Sequence, residues 1–228
     1  MNLEELIINT LHQHLLRYQK YHKEREKLAK EKGCKTYIPV HALIYCSQKY
    51  YFEQIFKERL ATLTLTQPIL IIGELIHQGI YQLFQGRAEI EPLLYKVIEV
   101  GEEKYLLTGT PDLLLHTPQG DIIVDIKFSL TGEVRDHYKL QIAYYKFLAN
   151  TTQGYLLILS PKGIKIVPVA EEITEPRIKT EISKLLDNTE HPKYEWECQY
   201  CLFKNLCPYA PTQFQTPSSP PSQPPSPS

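Results

Sequence analysis

Gly109-Thr110-Pro111-Asp112 and, thirteen residues beyond that aspartate, Asp125-Ile126-Lys127 are the stretches on which the reading of this chain turns. Each acidic residue lies within or closes an apolar run, Tyr105 to Leu115 and then Asp121 to Phe128, and both runs read as strands. The intervening Thr117-Pro118-Gln119-Gly120 is rich in turn formers, so a β-hairpin or meander is expected. Residues two apart on a strand point the same way, which places Asp125 and Lys127 on one face. A lone Asp-x-Lys is ordinarily a solvated face with a weak ion pair. Here Val124, Ile126 and Phe128 make the strand apolar, and a buried acid and base are costly unless they serve a site. Two carboxylates and an ammonium at a sheet edge suit metal-assisted cleavage of a phosphodiester. The carboxylates hold hard divalent cations, and the lysine orients a water or offsets phosphate charge.

Three further patterns bear on that reading. In Gly73-Glu74-Leu75-Ile76-His77, apolar residues at 72, 75, 76, 80 and 83 have helical spacing, and Glu74 and His77 share a face. A histidine there can complete an oxygen-rich metal site, although helix histidines are often structural. A second helix is expected from about Asp136 to Asn150, with Gln141 and Tyr145 one turn apart. Ile142, Phe147 and Leu148 would supply its core stripe. A glutamine can bond a phosphate or a catalytic group, and a tyrosine can stack on a base. The third pattern is Cys198, Cys201 and Cys207-Pro208, with Cys46 far upstream in Tyr45-Cys46-Ser47-Gln48. Close thiols followed by proline suit an iron–sulfur cluster or a zinc site with one ligand still wanted, either Cys46 or Cys34.

Taken in order, Cys46, His77, Asp112, Asp125 with Lys127, Gln141 with Tyr145, and the trio Cys198, Cys201 and Cys207 resemble the CRISPR-associated RecB-like exonuclease family of the PD-(D/E)xK nuclease superfamily. The resemblance spans about 37 to 209. Ser47-Gln48 departs from it, standing where many relatives carry Pro-Arg. It implies an α/β restriction-endonuclease-like core, a central mixed sheet flanked by helices, with a helical iron–sulfur cap. It further implies that His77, Asp112, Asp125 and the Ile126 carbonyl hold Mg²⁺ or Mn²⁺, and that Lys127 positions the attacking water. Gln141 and Tyr145 would orient substrate, and Cys46, Cys198, Cys201 and Cys207 would hold a 4Fe–4S cluster. The implied activity is DNA exonuclease cleavage, mostly of single strands and often 5′ to 3′. It would serve spacer processing in antiviral defence or end resection, with an integrase complex or a helicase as partner. The alternative is a non-catalytic DNA-binding or assembly subunit.

Composition adds bounds. The 228 residues, 43% hydrophobic, suffice for one sizeable core. A net charge of −1 argues against coating nucleic acid by bulk charge, so DNA contact must come from local patches. Lys49, Tyr50 and Tyr51 are candidates, as are Arg135, His137, Tyr138 and Lys139. Five cysteines with no signal peptide suggest free thiols and a cytoplasmic protein, and no apolar run reaches the roughly 18–20 residues that span a bilayer.

The chain divides into an N-terminal helical extension (1–36), the nuclease domain (37–209) and a tail (210–228). Residues 1 to about 32 read as a helix, apolar at Leu3, Leu6, Ile7, Leu11, Leu15 and Leu16 and then charged from Lys20 to Lys32. A second hairpin is expected at Tyr155–Leu159 and Ile164–Val167, then a helix from about Ile173 to Leu186. Seven prolines and five serines among residues 211–228 predict a disordered, polyproline-like spacer.

Overall fold

The computed structural model describes residues 2–211, so the expectation for the Pro/Ser-rich tail lies outside the described residues from 212 onward. The elements run α1 (Leu3–Leu15), α2 (Arg17–Glu31), β1 (Thr36–Pro39), α3 (Val40–Ile44), α4 (Ser47–Ile55), α5 (Leu60–Leu65) and α6 (Pro68–Phe84). There follow β2 (Glu89–Ile90), β3 (Leu94–Val100), β4 (Glu103–Gly109), β5 (Leu113–Thr117), β6 (Gly120–Phe128), α7 (Asp136–Ala149), β7 (Gln153–Ser160), β8 (Gly163–Pro168) and α8 (Glu175–Leu186).

The fold is mixed α/β, with two mixed sheets where one was expected: β1-β4-β3 and β2-β5-β6-β7-β8. The division falls inside the decisive stretch. The run Tyr105–Leu115, expected as one strand, breaks at Thr110-Pro111-Asp112 into β4 and β5, which belong to different sheets. Pro111 has no N–H to donate to a ladder, which accounts for the break. The hairpin itself forms, with Leu113 opposite Val124 and Thr117 opposite Gly120. β6 then pairs in parallel with β7, the crossover being α7. β1, not anticipated from the sequence, pairs in parallel with β4.

Helix α7 is the centre of the packing and touches β6 and β7 of one sheet and β3 and β4 of the other. Ile142 and Tyr144 on it are fully buried, with Ile123, Leu156 and Ile158 from the larger sheet and Leu107 from the smaller. Two glycines let the helix come this close. A Cβ on Gly154 would lie 2.5 Å from Ile142 Cγ2 and 2.9 Å from Lys146 Cδ. One on Gly109 would lie 2.7 Å from Leu148 Cδ1 and 2.8 Å from the Tyr145 ring. Gly154→Ala is therefore expected to cost about 1–3 kcal/mol of stability by overpacking, read by thermal or denaturant unfolding.

The expected N-terminal helix is two helices meeting at Leu16. Its charged half is largely a solvated face, with exposed pairs Lys20–Glu24 and Lys27–Glu31. Arg25 is an exception and donates to Thr110 Oγ1 at 2.6 Å, within the decisive stretch. Helix α6 buries the opposite of its apolar face. Glu74 and Tyr81 are its buried residues, whereas Leu75 and Leu83 are 53% and 73% exposed. Among the described residues no single helix is long and apolar enough to cross a membrane.

Candidate active site

The end of β6 supplies Asp125, Ile126 and Lys127, the β4–β5 break supplies Asp112, and α6 supplies His77. The structure brings these five together. His77 Nδ1 is 3.3 Å from Asp112 Oδ1, and the buried Tyr81 hydroxyl donates to that oxygen. Asp112 Oδ2 accepts the Ile126 N–H at 2.5 Å. Lys127 Nζ stands 2.6 Å from Asp125 Oδ2, but outside hydrogen-bond geometry, so that buried oxygen has a charge beside it and no donated hydrogen bond. His77, Ile126 and Lys127 line a cleft of about 680 Å³, walled by Leu15, Tyr18, Ile69, Leu70, Leu130, Arg135 and Tyr138 among others.

The electrostatics follow from burial. Removal from water, and then the neighbouring charge of Asp125, push the Asp112 carboxyl up to about 6, against the opposing effects of His77 and Lys127. Burial alone would lower the Lys127 ammonium, but the charges of Asp125 and Asp112 outweigh it and hold the group protonated. Burial and the Asp112 carboxylate likewise keep the Tyr81 hydroxyl protonated. Two carboxylates crowded behind one cleft, one oxygen lacking a donor, are the donor set a hard divalent cation accepts. Among the described residues no three His, Cys, Asp or Glu side chains already stand at metal-holding positions, Tyr81 and Lys127 occupying the carboxylates instead.

Gln141 and Tyr145 lie a turn apart on α7, with Gln141 Nε2 donating to the Tyr145 hydroxyl at 2.6 Å. The ring of Tyr145 is 5% exposed and packed near Gly109, so it does not offer a face for stacking on a base. Gln141 Oε1 is buried without a partner. The proposed DNA patches are also thinned. Tyr50 and His137 are buried, Lys49 lies 3.7 Å from Glu53, and Lys139 is paired with Asp136 and Glu171. Arg135 and Tyr138 are left on the cleft, with Lys127 Nζ 5.4 Å from the Tyr138 ring centre.

All five cysteines are free thiols. Cys46, Cys198, Cys201 and Cys207 border one small cavity, whereas Cys34 is buried elsewhere beside Tyr37 and Leu106. The ambiguity over the fourth thiol of this group therefore falls to Cys46. Burial raises the Cys46 thiol to about 11 and pushes those of Cys198 and Cys201 the same way. The surrounding scaffold does not depend on them alone. Buried Glu197 accepts from Cys46 N through one oxygen and from Lys193 N and Tyr194 N through the other, each at 2.8 Å. Phe203, fully buried, stacks on Phe52 and Phe56.

Several residues of the site had no place in the sequence reading. Tyr81 is four positions beyond His77 and shares its helix face, a signal that was available. Glu74 gathers His14, Arg17 and Tyr18 from α1 and α2, and Arg17 also reaches Glu91, whose N–H donates to the Asp112 carbonyl at 3.1 Å. Those partners are more than fifty positions apart in the chain, and no local pattern announces them.

Two histidines give the fold an acid limit. His137 is lowered to about 4 by burial and the charges of Arg135 and Lys127, and His22 to about 4 by burial and Arg25. His22 is neutral at pH 7 and bonds the Tyr37 hydroxyl. Because the unfolded chain takes up these protons more readily, their contribution is complete above about pH 6.5 and is lost as pH falls toward 4. Asp112 acts oppositely, giving stability at low pH that is lost as pH rises through about 6. Comparison with His22→Gln cancels that contribution. Between pH 7 and 5, with chelator present, wild type is expected to lose about 1 kcal/mol more than the variant in thermal unfolding.

Comparison with known proteins agrees with this geometry. The profile of the PD-(D/E)XK nuclease superfamily matches residues 86–208, which include Asp112, Asp125, Lys127 and the cysteine trio. The chain is 31% identical over 180 residues to the CRISPR-associated exonuclease Cas4 of Saccharolobus solfataricus strain P2, a match covering 75% of this chain and 87% of that one. It superposes on the crystal structure of SSO0001 with a TM-score of 0.70 at 27% identity, covering 77% of this chain and 88% of that one. Residues that make the site, the fold that carries them and the extent of these matches together place the chain in the PD-(D/E)XK nuclease superfamily, among the Cas4-type nucleases.

Proposed function

We propose that this nuclease hydrolyses DNA from a free end, acting on a single strand in the 5′ to 3′ direction. The observation that carries the reading is the meeting of Asp112, Asp125 and Lys127 behind one cleft, with a buried oxygen of Asp125 lacking a hydrogen-bond donor. His77, Asp112, Asp125 and the Ile126 carbonyl would hold Mg²⁺ or Mn²⁺. A divalent ion at such a site supplies a nucleophilic water near neutral pH and offsets charge on the phosphate. Lys127 orients that water and holds a positive charge on the cleft. Tyr81 and the Ile126 N–H fix Asp112, and Gln141 holds the Tyr145 hydroxyl. Arg135 and Tyr138 on the rim meet the strand.

Cys46, Cys198, Cys201 and Cys207 would hold a 4Fe–4S cluster. Support comes from four free thiols on one cavity, one of them, Cys46, brought to the other three across about 150 positions of chain. The cluster serves as a staple between these segments. Residues 37–209 form the nuclease unit and 1–36 a helical extension that braces α6. The cellular role we assign is trimming of DNA ends, including spacer precursors, in a cytoplasmic assembly with an integrase or a helicase.

The test is cleavage of single- and double-stranded DNA labelled at either end, by protein prepared without oxygen, in Mn²⁺ or Mg²⁺. Early release of a 5′-terminal label from single strands is expected. A ladder shortening from the 3′ end would reverse the polarity. Binding without cleavage would make the protein an assembly subunit.

A further inference from the structure

A second cavity, of about 420 Å³, adjoins the catalytic cleft and shares Arg135 and Tyr200 with it. Its other walls include Trp196, Tyr194, His137 and Gln199. Trp196 and Tyr194 stack at 5.8 Å with their planes 14° apart, and the His137 ring lies 5.2 Å from Trp196. The Arg135 guanidinium sits 5.9 Å over the Trp196 ring, and among the described residues it enters no ion pair. Trp196 and Tyr194 are half-buried, and Tyr200 is 60% exposed. An aromatic cluster that served only to pack the thiol segment would fill its own space. This one leaves a cavity open beside the cleft.

We propose that this cavity is a binding subsite for one unpaired nucleotide of the substrate strand, its base stacked on Trp196 and Tyr200 and its phosphate paired with Arg135. The proposal deepens the nuclease reading and rests on it. Aromatic faces accept any base but only an unstacked one, because a duplex presents base edges rather than faces. A single free arginine matches one phosphate. Glu133 and Asp136, which also line the cavity, disfavour a ligand of higher charge. Their carboxylates and the amide of Gln199 can meet the edge of a base. The subsite therefore selects a single-stranded stretch beside the scissile bond.

Trp196 is the sole tryptophan of the chain, so its emission reports on this cavity alone. Oligothymidylate carrying a fluorescent label would be titrated into the cluster-loaded protein with Ca²⁺ replacing the catalytic ion. Tryptophan emission and label anisotropy would be read together. The two signals are expected to saturate in parallel, with an abasic strand of equal length binding about tenfold more weakly. Trp196→Phe should stay close to wild type in anisotropy and Trp196→Ala should weaken binding about tenfold. Arg135→Gln, a change at an exposed residue, should lower the salt slope of binding by about one. Strand binding that leaves the emission unchanged, or an abasic strand that binds equally well, would overturn the proposal. So would absence of binding, and cleavage by the same preparation in Mn²⁺ then shows whether the nuclease reading falls with it.

Discussion

Asp125→Asn and Lys127→Ala are each expected to lower DNA cleavage at least about a hundredfold, the range for loss of a positioned acid–base or electrostatic group. The two should fail for different reasons. Asp125→Asn removes one of two crowded carboxylates, so it relieves the repulsion that raises Asp112 and weakens the hold on a divalent ion. Lys127→Ala leaves both carboxylates in place and removes the cation 2.6 Å from Asp125 Oδ2. Breaking one partner from a buried pair costs about 3–5 kcal/mol, and bound Mn²⁺ should restore part of it. Cleavage rate, Mn²⁺ affinity and thermal midpoint on both variants separate these effects. A Lys127→Ala protein that unfolds at the wild-type temperature without metal would show that the Lys127–Asp125 pair contributes nothing to the stability of the fold.

If the proposed cluster is bound, Cys201→Ala should destabilise the protein more than Lys127→Ala does. Cys46 and Cys198 are 152 positions apart (198 − 46), so a group bound by both closes most of the chain into one loop. Cross-links that close loops of this order contribute about 4–5 kcal/mol by chain entropy. Contacts of Glu197, and the stacking of Phe203 on Phe52 and Phe56, survive the substitution and keep the loss from being total. The readouts are absorbance near 400 nm, iron content and thermal midpoint. Equal midpoints for the two variants would overturn that ordering, and a Cys201→Ala midpoint at the wild-type value would remove the cluster from the stability of the fold.

What was legible in the sequence was local. The hairpin at Thr117-Pro118-Gln119-Gly120, helix α7 and the shared face of Asp125 and Lys127 all follow from period and turn chemistry over a few residues. The order of the thiols and acidic residues carried the family, because chemistry restricts which residue types serve. What was hidden depended on contacts across long separations. One run became strands in two sheets at Pro111, and β1 is identifiable only by its pairing with β4. The apolar spacing of α6 predicted a helix correctly, while its buried face is set by Glu74 meeting Arg17 and Tyr18. Tyr145 resembled a stacking residue in sequence and is enclosed because Gly109 lets α7 approach β4.

The central claim is that Asp112, Asp125 and Lys127 form one metal-dependent cleaving centre. Its most direct test is end-labelled single-stranded DNA incubated with the cluster-loaded protein, first in chelator and then across an Mn²⁺ titration, beside Asp112→Asn and Asp125→Asn. The account predicts no cleavage in chelator, recovery that saturates with Mn²⁺, and loss in both variants while each remains folded. Cleavage that persists in chelator, or that survives either substitution undiminished, would contradict it.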